Sequence, residues 1–213
     1  AMFSMTGLGL KFSNFIVQLG GNALIPSLIL AMLVCAILGM GLPTTASYIV
    51  VATAVAPALT SLGVDTLAAH LFLFYFASLS AITPPVAVAS YAAAGIAQEN
   101  PMKVGFTAVK IGITGFILPF AFALNNDYII FNFDFQTLLT WISGIVVSYS
   151  LACALQGYVE DKVTIFERIG YLIACGLAIT PYVVPSIAGW ALFGVLYGFR
   201  QIEAKKKRAA ATP

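Results

Sequence analysis

Residues 38–58 read LGMGLPTTASYIVVATAVAPA, and residues 69–97 read AHLFLFYFASLSAITPPVAVASYAAAGIA. Each is a long apolar run with an interruption. Two glycines and a proline break the first, and Thr83-Pro84-Pro85 breaks the second. Around them, from Phe12 to Gln98, Asp65 is the only formal charge. The whole chain of 213 residues is 61% hydrophobic and 8% charged. A soluble domain carries roughly 25% charged residues, so this composition cannot cover a soluble surface. A hydrocarbon core takes about 20 apolar residues per helical crossing, and the runs here have that scale. The sequence excludes a soluble enzyme, a disordered tail, a nucleic-acid binder and a secreted disulfide scaffold. It specifies an all-α, multi-spanning integral membrane protein with about seven to eight hydrophobic helical segments.

Working outward from these stretches, residues 11–23 are weakly amphipathic and suit an interface, and 24–40 and 46–62 are apolar arms around the Gly39–Thr45 break. After Gly63-Val64-Asp65 an apolar helix runs over 66–82, stops at Thr83-Pro84-Pro85 and resumes at 86–97. Residues 104–124 and 137–157 read as spans, separated by the polar stretch Asn125–Gln136. Beyond the charged loop Glu160–Arg168, two short pieces, 169–180 and 185–199, are joined through Pro181 and Pro185; they are two spans or one shallow hairpin. A domain boundary is expected near 125: residues 1–125 hold the hairpin 24–62, the broken helix 66–97 and the helix 104–124, and residues 126–213 hold further transmembrane helices. Lys205, Lys206, Lys207 and Arg208 place the tail in the cytoplasm by the positive-inside rule. Counting back, the 158–168 and 98–103 loops are cytoplasmic and the 125–136 and 63–65 loops are outside. Cys35, Cys153 and Cys175 sit apart in apolar runs and read as packed thiols. The start, Ala1 to Gly7, has no basic n-region of a signal peptide and reads as the middle of a longer chain.

The two breaks carry the functional expectation. Proline ends or kinks a helix, and lipid offers no partner to the backbone groups it frees. Irregular backbone at membrane depth survives where protein buries it or where it lines a wet cavity. A solvent turn carries Asn, Asp or Lys; Gly39-Met40-Gly41-Leu42-Pro43 carries none, which favours a buried re-entrant tip. Hydropathy alone does not separate that hairpin from two spans. Unwound carbonyls and half-helix ends at such breaks hold ions and substrates in transporters. The candidate cation ligands are Gly39, Gly41, Ser80, Ile82 and Thr83, with Na⁺ or H⁺ as the coupling ion. The candidate substrate contacts are Gly41, Pro43, Thr44, Thr45, Pro84 and Pro85, since the amides that open a helix suit an anionic carboxylate. Each hydroxyl has the plainer alternative of bonding back to its own helix. Asp65 reads as a helix N-cap, and His70 as a histidine satisfied by a neighbouring helix or, more weakly, a proton relay.

Together, residues 38–58, residues 69–97 and the following NPMKVGFTAVKIGITGFILPF at 100–120 resemble the large permease subunit of TRAP (tripartite ATP-independent periplasmic) transporters. The resemblance is closest to the branch with fused permease subunits and TAXI binding proteins. It covers residues 1–125 well and 126–213 more loosely, as extra C-terminal helices would. It implies an elevator-type secondary transporter built from inverted repeats, each with one re-entrant hairpin and one broken helix. This chain would be the C-terminal portion and hold half of the binding site. The resemblance also implies a bacterial inner-membrane location and import of a small organic acid or amino acid. The implied partners are the lipid bilayer, a periplasmic substrate-binding protein, and a small permease subunit or a fused N-terminal half.

The rival classes are an intramembrane enzyme and a membrane scaffold without transport. Zinc proteolysis needs H-E-x-x-H, and the chain has one His. Serine chemistry of the elbow type needs G-x-S-x-G, which does not occur. A scaffold has no use for two polar, proline-broken sites at depth. The chain is therefore expected to be no enzyme and to take no organic cofactor.

Overall fold

The structure is a computed structural model of the chain and describes residues 7–129, 134–180 and 182–211. The expectations for the first six residues, for the middle of the 125–136 loop and for the joint at Pro181 lie outside the described residues. The chain divides into two compact units, Ala1–Asn126 and Asp127–Pro213.

The first unit is helical throughout its described residues. α1 (Leu8–Leu19) precedes the two arms of the hairpin, α2 (Leu24–Gly39) and α3 (Thr44–Ser61). The broken helix follows as α4 (Thr66–Leu79), a 3₁₀ turn (Ser80–Ile82) and α5 (Val88–Ala97). α6 (Pro101–Ile111) and α7 (Ile113–Leu124) complete the unit. Asp65 is the N-cap of α4, accepting from the amides of Leu67 at 2.8 Å and Ala68 at 3.4 Å. Asn100 caps α6 in the same way, with Pro101 at the first helical position where its missing N–H costs nothing.

The core sits where α2, α3 and α4 meet. Leu28, Ala31, Cys35, Val51, Ala54, Val55, Phe72 and Leu73 are fully buried there. The small residues among them let helix backbones approach closely, which is how helices associate when lipid is as apolar as their side chains. α1 lies on α3 beside Pro57. Ser13 Oγ donates to the Ala54 carbonyl at 2.8 Å, and a Cβ on Gly9 would stand 2.7 Å from the Thr53 carbonyl oxygen. Pro57 lacks the N–H that would bond Thr53, so the contact covers backbone the proline has loosened. α7 packs on α4 through aromatic pairs, Phe72–Phe120 at 5.3 Å and Phe76–Phe120 at 5.9 Å between ring centroids.

The second unit holds α8 (Phe135–Gln156), α9 (Ile165–Ala178) and α10 (Val183–Ala211). Between α8 and α9 a two-residue antiparallel β pair, Tyr158–Val159 with Asp161–Lys162, closes the loop of an otherwise helical unit. Gly157 and Glu160 make its turns with φ of 68° and 58°. Arg168 caps the C-terminus of α8, donating to the carbonyls of Ala154 at 2.6 Å and Leu155 at 3.0 Å. Thr164 and Glu167 form a capping box at the start of α9. Tyr171, fully buried, packs with Cys153, Ala154, Val159 and Val163. A Cβ on Gly189 would stand 2.8 Å from the Ala174 carbonyl oxygen, so only glycine lets α10 lie that close to α9.

Two expectations are corrected. The span over 104–124 is a pair of helices bent by 44° at Gly112. The last piece is not short: α10 runs for 29 residues through the basic segment. Among the described residues, three helices can cross a membrane by length and hydropathy, Thr44–Ser61, Phe135–Gln156 and Val183–Lys206, and the bent pair makes four if it is one span. Leu24–Gly39, Thr66–Ile82 and Val88–Ala97 are apolar but shorter. An α-helix of 16 residues rises about 24 Å, less than the ~30 Å of a hydrocarbon core.

Candidate functional site

The tip of the hairpin is a type II β-turn over Gly39-Met40-Gly41-Leu42. Leu42 N–H donates to the Gly39 carbonyl at 3.3 Å, Met40 has φ −59° and ψ 122°, and Gly41 has φ 73°. The second central position of that turn needs positive φ, which is why glycine stands at 41. Gly39 does not need it; it ends α2 in helical conformation. What Gly39 provides is space. A Cβ there would stand 2.7 Å from both Ser47 Oγ and Ser80 Oγ.

Ser80 belongs to the 3₁₀ turn at the break in the other helix, so the tip and the break are neighbours. Ser80 Oγ lies 3.1 Å from the Gly39 carbonyl oxygen and 2.6 Å from that of Ala77, and its one proton serves either. Gly41 approaches the far side of the break: a Cβ on it would be 3.7 Å from Val86 Cγ1. Tip and break therefore meet at two places, Gly39 with Ser80 and Gly41 with Val86.

Within the break, each of three polar side chains bonds to backbone. Thr83 Oγ1 donates to the Leu79 carbonyl at 2.7 Å, Ser90 Oγ to that of Ile82 at 3.4 Å, and Tyr91 OH to that of Pro85 at 2.6 Å. The Pro84–Pro85 peptide is cis. The bent pair wraps this region with its glycines. Cβ atoms on Gly105, Gly112 and Gly115 would stand 3.0 Å from Pro84, 3.3 Å from Ile82 and 3.7 Å from Leu79.

The sequence expectation is thereby sharpened and partly corrected. The Gly39 and Ile82 carbonyls are not bare; they accept from Ser80 with Leu42 and from Ser90. Thr44 and Thr45 open α3 as expected and are exposed together with Gly41 and Pro43. Ser47 is the residue that sequence reasoning passed over. It is fully buried beside Gly39 with its hydroxyl unpartnered. A serine one turn into an apolar helix, next to a Thr pair, was the available signal. Among the described residues no three His, Cys, Asp or Glu side chains gather as a metal cluster. An ion at this place would be held by hydroxyl and carbonyl oxygens.

His70 stands apart from the break, about ten residues and ~15 Å earlier along the helix. Its Nδ1 lies 2.9 Å from the Tyr48 hydroxyl of α3, which satisfies it in the manner expected of a histidine facing a neighbouring helix. It also lines an open cleft of about 320 Å³ with Ala52, Ala56, Pro57, Thr60 and Thr66.

Discontinuous helices occur at the substrate and ion sites of many secondary transporters. The family model described as Tripartite ATP-independent periplasmic transporter, DctM component, matches residues 1–136. The chain belongs to this family. The match spans the hairpin, the broken helix and the bent pair. No curated protein and no solved structure matches the chain. As a DctM-family permease component it is an integral membrane protein of a transporter, not a member of an enzyme family. Membership implies the bilayer and a periplasmic binding protein as its partners.

Proposed function

We propose that this DctM-family chain forms part of the permease of a cation-coupled symporter, importing a small organic acid or amino acid delivered by the periplasmic binding protein. The observation that carries the reading is the meeting of tip and break, Gly39 with Ser80 and Gly41 with Val86. The N-terminal amides of α3, opened by Thr44 and Thr45, suit a substrate carboxylate through the positive end of the helix dipole. The hydroxyls of Ser47, Ser80 and Thr83, with the Gly39, Gly41 and Ile82 carbonyls, are the candidate oxygens for Na⁺. The substrate wall is Gly41, Pro43, Thr44, Thr45, Pro84 and Pro85. H⁺ coupling is the alternative, for which His70 is the one candidate relay in this region.

In this reading the chain is the C-terminal portion of a large subunit of the fused, TAXI-associated branch. It works in the bacterial inner membrane as one of two inverted repeats of an elevator. A small permease subunit or a fused N-terminal half supplies the remainder. The 16-residue α2, too short for a crossing, suits a re-entrant arm.

Thr83→Ala in the assembled transporter should weaken the cation dependence of uptake several-fold while expression stays near wild type. Its hydroxyl bonds back to Leu79, so the lone pairs, not the proton, are what it has to offer an ion. Uptake rates titrated against Na⁺ and against pH decide it; an unchanged half-saturating cation concentration removes Thr83 from the site.

The topology has its own check. Lys/Arg placement puts the 125–136 loop in the periplasm and the 158–168 loop in the cytoplasm. Asp134→Cys and Lys162→Cys, both at exposed positions, should react with a membrane-impermeant thiol reagent from opposite faces of oriented vesicles. Reaction from the same face contradicts the orientation.

A further inference from the structure

We propose that the basic end of α10 is a binding site for anionic phospholipid headgroups. Within the second unit the positive charges divide into two sets. Arg168 is committed internally, capping α8 through Ala154 and Leu155. Arg200 is committed as well. Its side chain is 6% exposed and paired with Glu167 and, at 3.2 Å, with Glu203. These contacts leave Lys162, Lys205 and Lys206, all exposed, as the cations that face outward. Lys207 and Arg208 extend the run.

The apolar surface beside these cations is what a lipid interface requires. Phe166, Ile165, Tyr158 and Phe199 are 82%, 61%, 62% and 64% exposed. Exposed aromatic and aliphatic side chains next to lysines mark the headgroup level of a bilayer. The helix is also long enough to bring its charges there. At 1.5 Å per residue, 29 residues rise about 43 Å, against ~30 Å of hydrocarbon. The basic turns emerge beyond the core without leaving the helix. Arg200 takes Glu167 as an internal partner, so the charge of that carboxylate is matched within the unit. Each exposed basic group near an anionic surface favours it by roughly fivefold, and salt screens the effect within a Debye length.

The test is lipid retention by the purified full chain, read by native mass spectrometry with phosphatidylglycerol against phosphatidylcholine of the same acyl chains. The wild type should retain phosphatidylglycerol at least about tenfold better, and the preference should fall as ionic strength rises. The variant Lys205→Gln, Lys206→Gln, Lys207→Gln, Arg208→Gln should lose most of that preference. The charge-conserving variant Lys205→Arg, Lys206→Arg, Lys207→Arg should keep it. Equal retention of both lipids by the wild type overturns the proposal. So does an undiminished preference in the Gln variant, which would place the lipid elsewhere.

Discussion

Gly39→Ala is expected to abolish uptake by the assembled transporter, with a loss of well over about tenfold in initial rate. The alanine Cβ would stand 2.7 Å from Ser47 Oγ and from Ser80 Oγ and 2.9 Å from Ser80 Cβ. Real Cβ contacts do not come that close, so the tip must move off the break or the serines must leave their rotamers. Forcing a methyl into a packed site costs about 1–3 kcal/mol, enough to separate two elements joined by few contacts. A second substitution distinguishes crowding from chemistry. Ser80→Gly combined with Gly39→Ala removes the overlap with residue 80 and leaves only that with Ser47 Oγ, the end of a side chain that can rotate away. If Ser80 is a ligand, folding and insertion recover while uptake does not; full recovery of uptake reduces Ser80 to packing. Gly41→Ala approaches the same site differently. Its Cβ has room, 3.7 Å from Val86, but φ is 73°, a conformation that costs a non-glycine residue about 1–2 kcal/mol. That variant should insert and fold yet lose uptake. Proteoliposome uptake alongside the size-exclusion profile of each variant checks these outcomes.

Glu167→Gln should produce the largest loss of stability in the second unit. Arg200 is buried and paired with Glu167, which also holds the Thr164 amide and hydroxyl. Removing one partner of a buried ion pair costs up to about 3–5 kcal/mol, and Glu203, 3.2 Å from Arg200, offsets part of that here. The effect depends on pH with a definite sign. Desolvation raises the affinity of Glu167 for its proton, but hydrogen bonds from Arg200 and Thr164 outweigh it and hold the carboxyl below its ordinary value. A carboxyl depressed in the folded state stabilises fully above its unfolded pKa of about 4.3, and that contribution is lost as pH falls through the lower folded value. Thermal melts of wild type and Glu167→Gln in detergent should differ widely near neutrality and converge only as pH falls through the depressed folded-state value. A gap independent of pH would show that the carboxylate charge is not what stabilises the joint.

How much of this was legible before the structure depends on the kind of signal. Asp65 was readable as a cap, because an acidic residue directly before an apolar run has one local use. The hairpin arms and the break at Thr83–Pro85 were readable because glycine and proline act on their own backbone. The bend at Gly112 was not. A single glycine in an apolar run is equally a packing site or a hinge, and that Ile82 lies where a side chain at 112 would stand is known only from the fold. The length of α10 was misread because Pro185 looked like an interruption. It falls in the first turn, where the N–H it lacks has no helical partner to lose. The Ala, Lys and Arg of the tail then favour continued helix beyond the apolar limit. Ser47 carried only a weak signal, because its burial beside Gly39 is set by how the two hairpin arms pack. The carbonyls of Gly39 and Ile82 looked bare until Ser80 and Ser90 were found on them.

We propose that residues 41–45, which this chain leaves exposed, line a cation-sensitive site at membrane depth and not a loop in bulk water. Thr45→Cys in the assembled transporter, treated with a membrane-impermeant thiol reagent, tests it most directly, with Asp134→Cys as the aqueous reference. Labelling at 45 should be at least about tenfold slower than at 134, and slower again when the coupling cation is added. Labelling at the same rate as position 134, unaffected by Na⁺ or by pH, would contradict the account.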